Sequence, residues 1–376
     1  MAQTGANSLR ALLERHTRPM ALAEALPQKR VRCLACGHRC RIPPGRAGVC
    51  QVRFNRDGVL HGPWGYVAGL QDDPIEKKPF YHVLPGSRTL SFGMLGCDFH
   101  CAYCQNWVTS QTLRDEAATG SFQPMSAEEI VVQAKSRGAI TLTSTYNEPL
   151  ITAEWAAEIF RLGGNAGLRA AFVSNGNNTA EALALLQPHL DFYKVDLKSF
   201  SDKHYRELGG TLNNVLDGIA RVRAAGLWLE VVTLVVPGFN DSPAELRAMA
   251  GFLAGLSPDI PWHVTAFHPD YRMQGKGRTA PDTLLEAARI GKEAGLRHVY
   301  PGNVHGRVGD AENTRCPHCQ ALLVRRVGFA VQAYHLRDGC CPQCSAPIAG
   351  RWHDAATLPA MGLDGGQVMP LRPGRP

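Results

Sequence analysis

Three cysteines, Cys97, Cys101 and Cys104, stand in the stretch Gly96-Cys97-Asp98-Phe99-His100-Cys101-Ala102-Tyr103-Cys104-Gln105-Asn106-Trp107. Three thiolates hold three irons of a [4Fe–4S] cube, whereas an ordinary cube takes four. The missing ligand leaves one iron open, and an open coordination position is where a metal site does chemistry. The spacing Cys-x3-Cys-x2-Cys follows an apolar strand pattern and puts an aromatic, Tyr103, before the last Cys. The plainer reading of the same residues is a half-built zinc knuckle or a set of buried thiols. Phe92, Phe99, Tyr103 and Trp107 would exclude water and so favour the very low reduction potential such chemistry needs, although Phe92 reads first as core packing.

A site of this kind needs a large fold to hold it. The chain has 376 residues, enough for about two domains or one large barrel with additions. Its formal charge of +7 is mild, and the basic residues form no run that predicts nucleic-acid binding. Arg10, Glu14, Arg15, Arg18, Lys29 and Arg30 leave the N-terminus without the apolar core of a signal peptide. No apolar run approaches the length that spans a membrane. The twelve cysteines cluster at two- and three-residue gaps, which favours metal ligation over disulfides. A soluble, cytoplasmic, reduced protein with no membrane association is expected.

Residues 1–30 read as an N-terminal helical segment and 31–88 as a small Cys-rich module full of Gly and Pro. From there, apolar strand patterns over 89–95, 139–145, 168–173, 192–197, 227–236, 262–267 and 298–300 alternate with helical ones. The helices fall over 126–137, 151–165, 179–186, 213–225 and 281–294, with another opened by Ser242-Pro243. This alternation predicts parallel βαβ units, six or seven of them, closing into a complete or partial barrel over 89–306. Chemistry then belongs at the C-terminal strand ends, where the candidate motifs fall one after another. A second Cys-rich module spans 307–352, and 353–376 is a Pro/Gly-rich tail expected to be disordered.

Two more cysteine sets flank the barrel. Cys316-x2-Cys319 and Cys341-x2-Cys344 form paired knuckles of zinc-ribbon type, with a rubredoxin-like iron as the rival and Cys340 as an extra thiol. Cys33, Cys36, Cys40 and Cys50 suit either zinc or an auxiliary [4Fe–4S] cluster.

Over residues 31–352 the chain resembles the radical S-adenosylmethionine (SAM) enzyme of the AmmeMemoRadiSam system, itself similar to pyruvate formate-lyase-activating enzymes. The marks are the four N-terminal cysteines with Arg41-Ile42-Pro43-Pro44-Gly45; Asp73-Pro74-Ile75-Glu76-Lys77-Lys78-Pro79; Cys104-Gln105-Asn106-Trp107; Tyr146-Asn147-Glu148-Pro149; Asp196-Leu197-Lys198; Val236-Pro237-Gly238-Phe239-Asn240-Asp241; Trp262-His263-Val264-Thr265-Ala266-Phe267-His268-Pro269; and the final knuckles. The resemblance implies an α/β fold, a partial (β/α)6-type radical SAM barrel with an N-terminal Cys-rich module and a C-terminal zinc-ribbon-like module. It implies that SAM chelates the open iron, and that one electron from the cluster yields a 5′-deoxyadenosyl radical that abstracts hydrogen from a substrate. A flavodoxin- or ferredoxin-like electron donor is implied as partner.

The candidate cofactor-binding residues stand at the strand ends. Glu148 stands where such enzymes carry a Gly-Gly-Glu-like segment, with a helix-capping acid as the alternative. Ser174 and Asn175 end the third strand and reach ribose and carboxylate, unless they form a simple βα turn. Lys194, Asp196 and Lys198 alternate onto one face, fit to bind SAM carboxylate or a cation, or to form a structural ion pair. Tyr103 and His268 complete the set, with His204 and His305 as weaker candidates. The substrate is a protein, as in glycyl-radical activation, or a small molecule or an RNA nucleoside. The Cys-rich ribbon and the Tyr146-Asn147 segment depart from typical activases. The competing classes are a zinc-based nucleic-acid-binding protein and a structural metal scaffold, neither of which cleaves SAM.

Overall fold

The computed structural model describes residues 4–353, so the tail expected to be disordered lies outside the described residues except for His353. Its centre is an eight-stranded sheet: β1 (Gly69–Pro74), β2 (Arg88–Gly93), β3 (Thr141–Ser144), β4 (Arg169–Ser174), β5 (Phe192–Asp196), β6 (Trp228–Val235), β7 (Trp262–Ala266) and β8 (Val299–Gly302). The spatial order runs β8-β7-β6-β5-β4-β3-β2-β1, parallel throughout except for the antiparallel β1–β2 pair. Helices α1 (Ala127–Ser136), α2 (Ala153–Asn165), α3 (Ala180–Leu186), α4 (Leu212–Ala224), α5 (Pro243–Leu256) and α6 (Pro281–Glu293) each follow a strand from β2 to β7. This is the expected α/β arrangement of six βα units and a further strand.

Local chemistry sets the helix starts. Ser126 and Glu129 form a reciprocal capping box on α1, Thr179 caps α3, and Ser242 caps α5 ahead of Pro243. The parallel strands are largely buried, β3 and β7 at every residue, whereas the edge strand β1 buries only Asp73.

Two expectations are corrected. The N-terminal helix stops at Glu14; Thr17–Pro19 then pairs with Val59–Pro63, and Ala23–Leu26 with Arg30–Cys33. Pro19 lacks the N–H a helix needs and disfavours a helical Arg18. The stretch assigned to the Cys-rich module also gives up Gly69–Pro74, which joins the central sheet as its antiparallel edge.

The inner face is floored by residues 75–88. Ile75, Phe80 and Val83 pack on Ala171 and Phe192. Glu230, fully buried, accepts the backbone N–H of Tyr81 (3.0 Å) and His82 (2.9 Å) and pairs with His263 Nε2 (2.6 Å). Below, β9 (Thr314–Arg315), β10 (Leu322–Val327) and β11 (Ala330–Tyr334) form the C-terminal module. Arg326 reaches from it to donate to Tyr81 O (2.6 Å), beside Glu76, 3.7 Å away.

Arg53 ties the N-terminal module to α2. Its Nη1 and Nη2 donate to Glu154 at 2.8 and 2.7 Å, and the pair is almost wholly buried. Removing one partner strands a buried charge, so Arg53→Met should cost about 3–5 kcal/mol in urea denaturation. The double variant Arg53→Met/Glu154→Leu should recover most of that loss.

Candidate active site and metal centres

The loop leaving β2 carries Cys97, Cys101 and Cys104 across the strand ends. Phe99 N donates to Cys97 Sγ at 3.4 Å, and Ser110 Oγ lies 3.2 Å from Cys104 Sγ. The segment 268–273 holds this loop from outside. Arg272 N donates to Ala102 O (3.0 Å), Trp107 Nε1 to Asp270 Oδ1 (3.2 Å), and the Trp107 ring stacks on Tyr271. His268 joins the same clamp with Nδ1 3.0 Å from Gln105 Nε2, and its side chain is 42% exposed.

Burial pushes the Cys101 thiol up to about 12. Burial also raises Cys97, with Asp98 and Glu148 adding to it, and raises Cys104 against the pull of the Ser110 hydroxyl. Thiols held up in this way release their protons to a metal rather than to water. Soft sulfur donors on one loop, walled by Phe99 and Tyr103, fit an iron–sulfur cluster.

Glu148, Ser174 and Asn175 meet one another. Glu148 accepts Ser174 Oγ (2.7 Å), Asn175 N (2.7 Å) and Leu150 N (3.1 Å) at 2% exposure. Asn175 Nδ2 donates to Asp98 Oδ1 at 2.7 Å, and Asn177 Nδ2 to Asp98 Oδ2 at 2.8 Å. These side chains brace the loop carrying Cys97 from behind. No spacing in the sequence singles out Asp98 or Asn177; their pairing joins two strand-end loops distant in the chain and leaves no local pattern.

Asp196 is clasped by Lys194 and by Lys198 (3.2 Å), yet its side chain is 33% exposed while both lysines are largely covered. Burial alone would raise its carboxyl, but the two ammonium groups hold it down at about 2. Asp196 and Lys198 both lie within electrostatic reach of Cys101. Tyr103, nearly buried, packs edge-on against Phe239, and its hydroxyl has no hydrogen-bond partner among the described residues. His204 stacks on Phe239 and bonds Ser199, and His305 packs on Phe329.

Another polar group lies next to Lys194. Lys78 Nζ donates to Asp73 (2.6 Å) and to the Tyr146 hydroxyl (3.1 Å), and burial pushes it down to about 8 against the pull of Asp73. Tyr146 has a left-handed backbone, φ 70°. Its side chain fits over Gly69 and Gly93, where an added Cβ would come to 3.0 Å and 2.9 Å from it.

Cys316, Cys319, Cys341 and Cys344 bring their sulfurs within 4.8 Å of one another, with 316–344 and 319–341 separations of 3.6 Å. Cys340 stays outside, its backbone paired with Arg337. The N-terminal four gather through a hairpin, Cys33 N to Cys40 O (2.9 Å), and a turn, Arg39 N to Cys36 O (3.0 Å). Cys40 Sγ lies 3.4 Å from the Cβ position at Gly48, which leads into Cys50. Among the described residues no helix is long and apolar enough to cross a membrane.

A seven-strand parallel array with sulfur ligands at its C-terminal edge is the frame of a metal-dependent α/β enzyme. Residues 93–250 match the family model of the radical SAM superfamily. An uncharacterized protein of Methanocaldococcus jannaschii is 35% identical over 315 residues, covering 83% of this chain and 92% of that protein. The isethionate sulfite-lyase activating enzyme of Oleidesulfovibrio alaskensis is 28% identical over 142 residues, 36% of this chain and 45% of the enzyme. A domain of pyruvate-formate lyase-activating enzyme from Bacteroides vulgatus superposes with TM-score 0.38 and 21% identity, over 43% of this chain and 98% of that domain. The chain belongs to the radical SAM superfamily, a membership that implies a [4Fe–4S] cluster and SAM.

Burial, then Asp98, pushes Glu148 up to about 8 from an ordinary value near 4.5. Between those values the unfolded chain loses the proton that the fold retains, so this group lowers stability as pH rises. In metal-free protein, the drop in urea midpoint from about pH 5 to about pH 8 should shrink in Glu148→Gln.

Proposed function

We propose that this enzyme reductively cleaves SAM at a [4Fe–4S] cluster held by Cys97, Cys101 and Cys104 and abstracts hydrogen from a substrate in the barrel. When bound, the cluster supplies an electron to the sulfonium C–S bond and so generates a 5′-deoxyadenosyl radical. The observation that carries the reading is the partly exposed Asp196–Lys198 pair within reach of Cys101 and Tyr103.

In this reading Lys198 takes the SAM carboxylate and Asp196 its amino group or a cation. Tyr103 and His268 border the nucleoside end. Glu148, Ser174 and Asn175 act as positioning residues through Asp98. The C-terminal four-cysteine site holds zinc, since four thiolates at these separations suit a tetrahedral ion, with mononuclear iron as the rival. The cysteine chemistry points to a reducing cytoplasm and a flavodoxin- or ferredoxin-like donor.

A protein substrate, as in glycyl-radical activation, is the reading favoured by relatives whose names mark them as activating enzymes. Those matches span less than half of the named enzymes, 45% and 42%. A small molecule and an RNA nucleoside are the alternatives.

Reconstituted protein given dithionite and SAM without oxygen should release 5′-deoxyadenosine. Cys101→Ala should abolish that product while retaining about one zinc per chain. No product from wild type with an intact, reduced cluster would overturn the proposal.

A further inference from the structure

We propose that Cys33, Cys36, Cys40 and Cys50 hold a second [4Fe–4S] cluster, wired through Asn177 and Asp98 to the one at Cys97, Cys101 and Cys104. The receiving end of this wire rests on the radical SAM reading. Four thiolates are what a closed cube takes, with no open iron left for substrate. Such a cube carries electrons only.

The connection is short and buried. Gly37, the residue after Cys36, donates its N–H to Asn177 O at 2.8 Å. Asn177 Nδ2 donates to Asp98 Oδ2 at 2.8 Å, and Asp98 Oδ1 stands 3.8 Å from the sulfur of its neighbour Cys97. Two hydrogen bonds and otherwise covalent links therefore join Cys36 to Cys97. Asn177 is 2% exposed and Asp98 1%, and the amide meets the carboxylate directly. The approach is built for closeness: a Cβ on Gly37 would fall 2.4 Å from Asn177 Oδ1. Asn214 Nδ2 donates to that same oxygen at 2.6 Å and fixes the amide with its NH2 toward Asp98.

The sulfur spacing favours a cube over an ion. Tetrahedral zinc with bonds of about 2.3 Å sets its sulfurs about 3.8 Å apart. Among the described residues only the C-terminal four draw their ligand atoms within 4.8 Å. No three of the N-terminal four, though gathered by a hairpin and a turn, draw their sulfurs within that distance, nor do Cys97, Cys101 and Cys104.

Cys40 lies nearest the surface, with Arg41 and Arg46 exposed beside it, a basic rim for an acidic one-electron carrier. One electron leaves the reduced carrier, reduces the N-terminal cube, and moves to the cube at Cys97. No bond forms or breaks and no proton moves.

Anaerobically reconstituted full-length protein should contain about eight irons and about one zinc per chain. Freeze-quench EPR after mixing with reduced flavodoxin should resolve both cubes. Asn177→Ala should retain the irons and the rate at which the N-terminal cube is reduced, and slow reduction of the other about tenfold. Cys36→Ala should lose about four irons and flavodoxin-driven reduction, yet still be reduced by dithionite. About four irons with a second zinc in wild type would overturn the proposal, as would an unslowed Asn177→Ala. If Cys36→Ala does not fold, Asn177→Ala decides. Eight irons and normal electron passage without 5′-deoxyadenosine would sink the SAM reading and leave the wire standing.

Discussion

Acidic groups crowded out of water, where ionisation is costly, are the constraint around which this molecule is arranged. Asp98 and Glu148 are both buried beside Cys97, in a place where sulfurs must also become anions to bind metal. The fold answers with donors rather than space. Two asparagine amides cover Asp98, three donors converge on Glu148, and Lys198 stands near Cys101. These donors come from three neighbouring strand ends, Leu150 after β3, Ser174, Asn175 and Asn177 at the end of β4, and Lys198 after β5, so the parallel pairing of those strands is what brings them together.

The floor of the barrel follows the same logic. Residues 75–88 carry polar backbone into an apolar interior, and that backbone must find partners. Glu230 supplies two, and the C-terminal module supplies more through Arg351, whose backbone pairs with His82 and Leu84 at 2.7 Å. The C-terminal four-cysteine module is therefore stitched to the segment that floors the sheet rather than hanging from it, and His353 Nε2 on Pro85 O extends the seam.

Much of this was legible in the sequence. The strands read clearly because parallel strands covered on both faces are short and apolar or β-branched, as in Trp228–Val235, and alternate with helical stretches. The cysteine sets read clearly because metal ligation fixes short spacings, and Lys194, Asp196 and Lys198 because a strand alternates its faces. Gly69–Pro74 was illegible, since Gly-Leu-Gln-Asp-Asp-Pro is polar and its strand character comes from pairing with β2. The helix beyond Glu14 was over-read because Ala and Leu satisfy a helical period that Pro19 forbids. Glu148, Ser174 and Asn175 could be assigned to strand ends, but not to each other. A sequence shows which polar groups stand at a rim and not whether their hydrogen bonds are already taken.

The left-handed Tyr146 has a consequence for how this chain can change over time. A Cβ at Gly93 would come within 2.2 Å of Thr145 O, and one at Gly69 would press on the aromatic ring. Such a backbone costs about 1–3 kcal/mol and persists only where its surroundings enforce it. The two glycines are therefore held by different neighbours: a descendant that acquires a side chain at Gly69 must surrender the ring, and with it the hydroxyl that meets Lys78, whereas one at Gly93 must move the backbone that holds the ring in place.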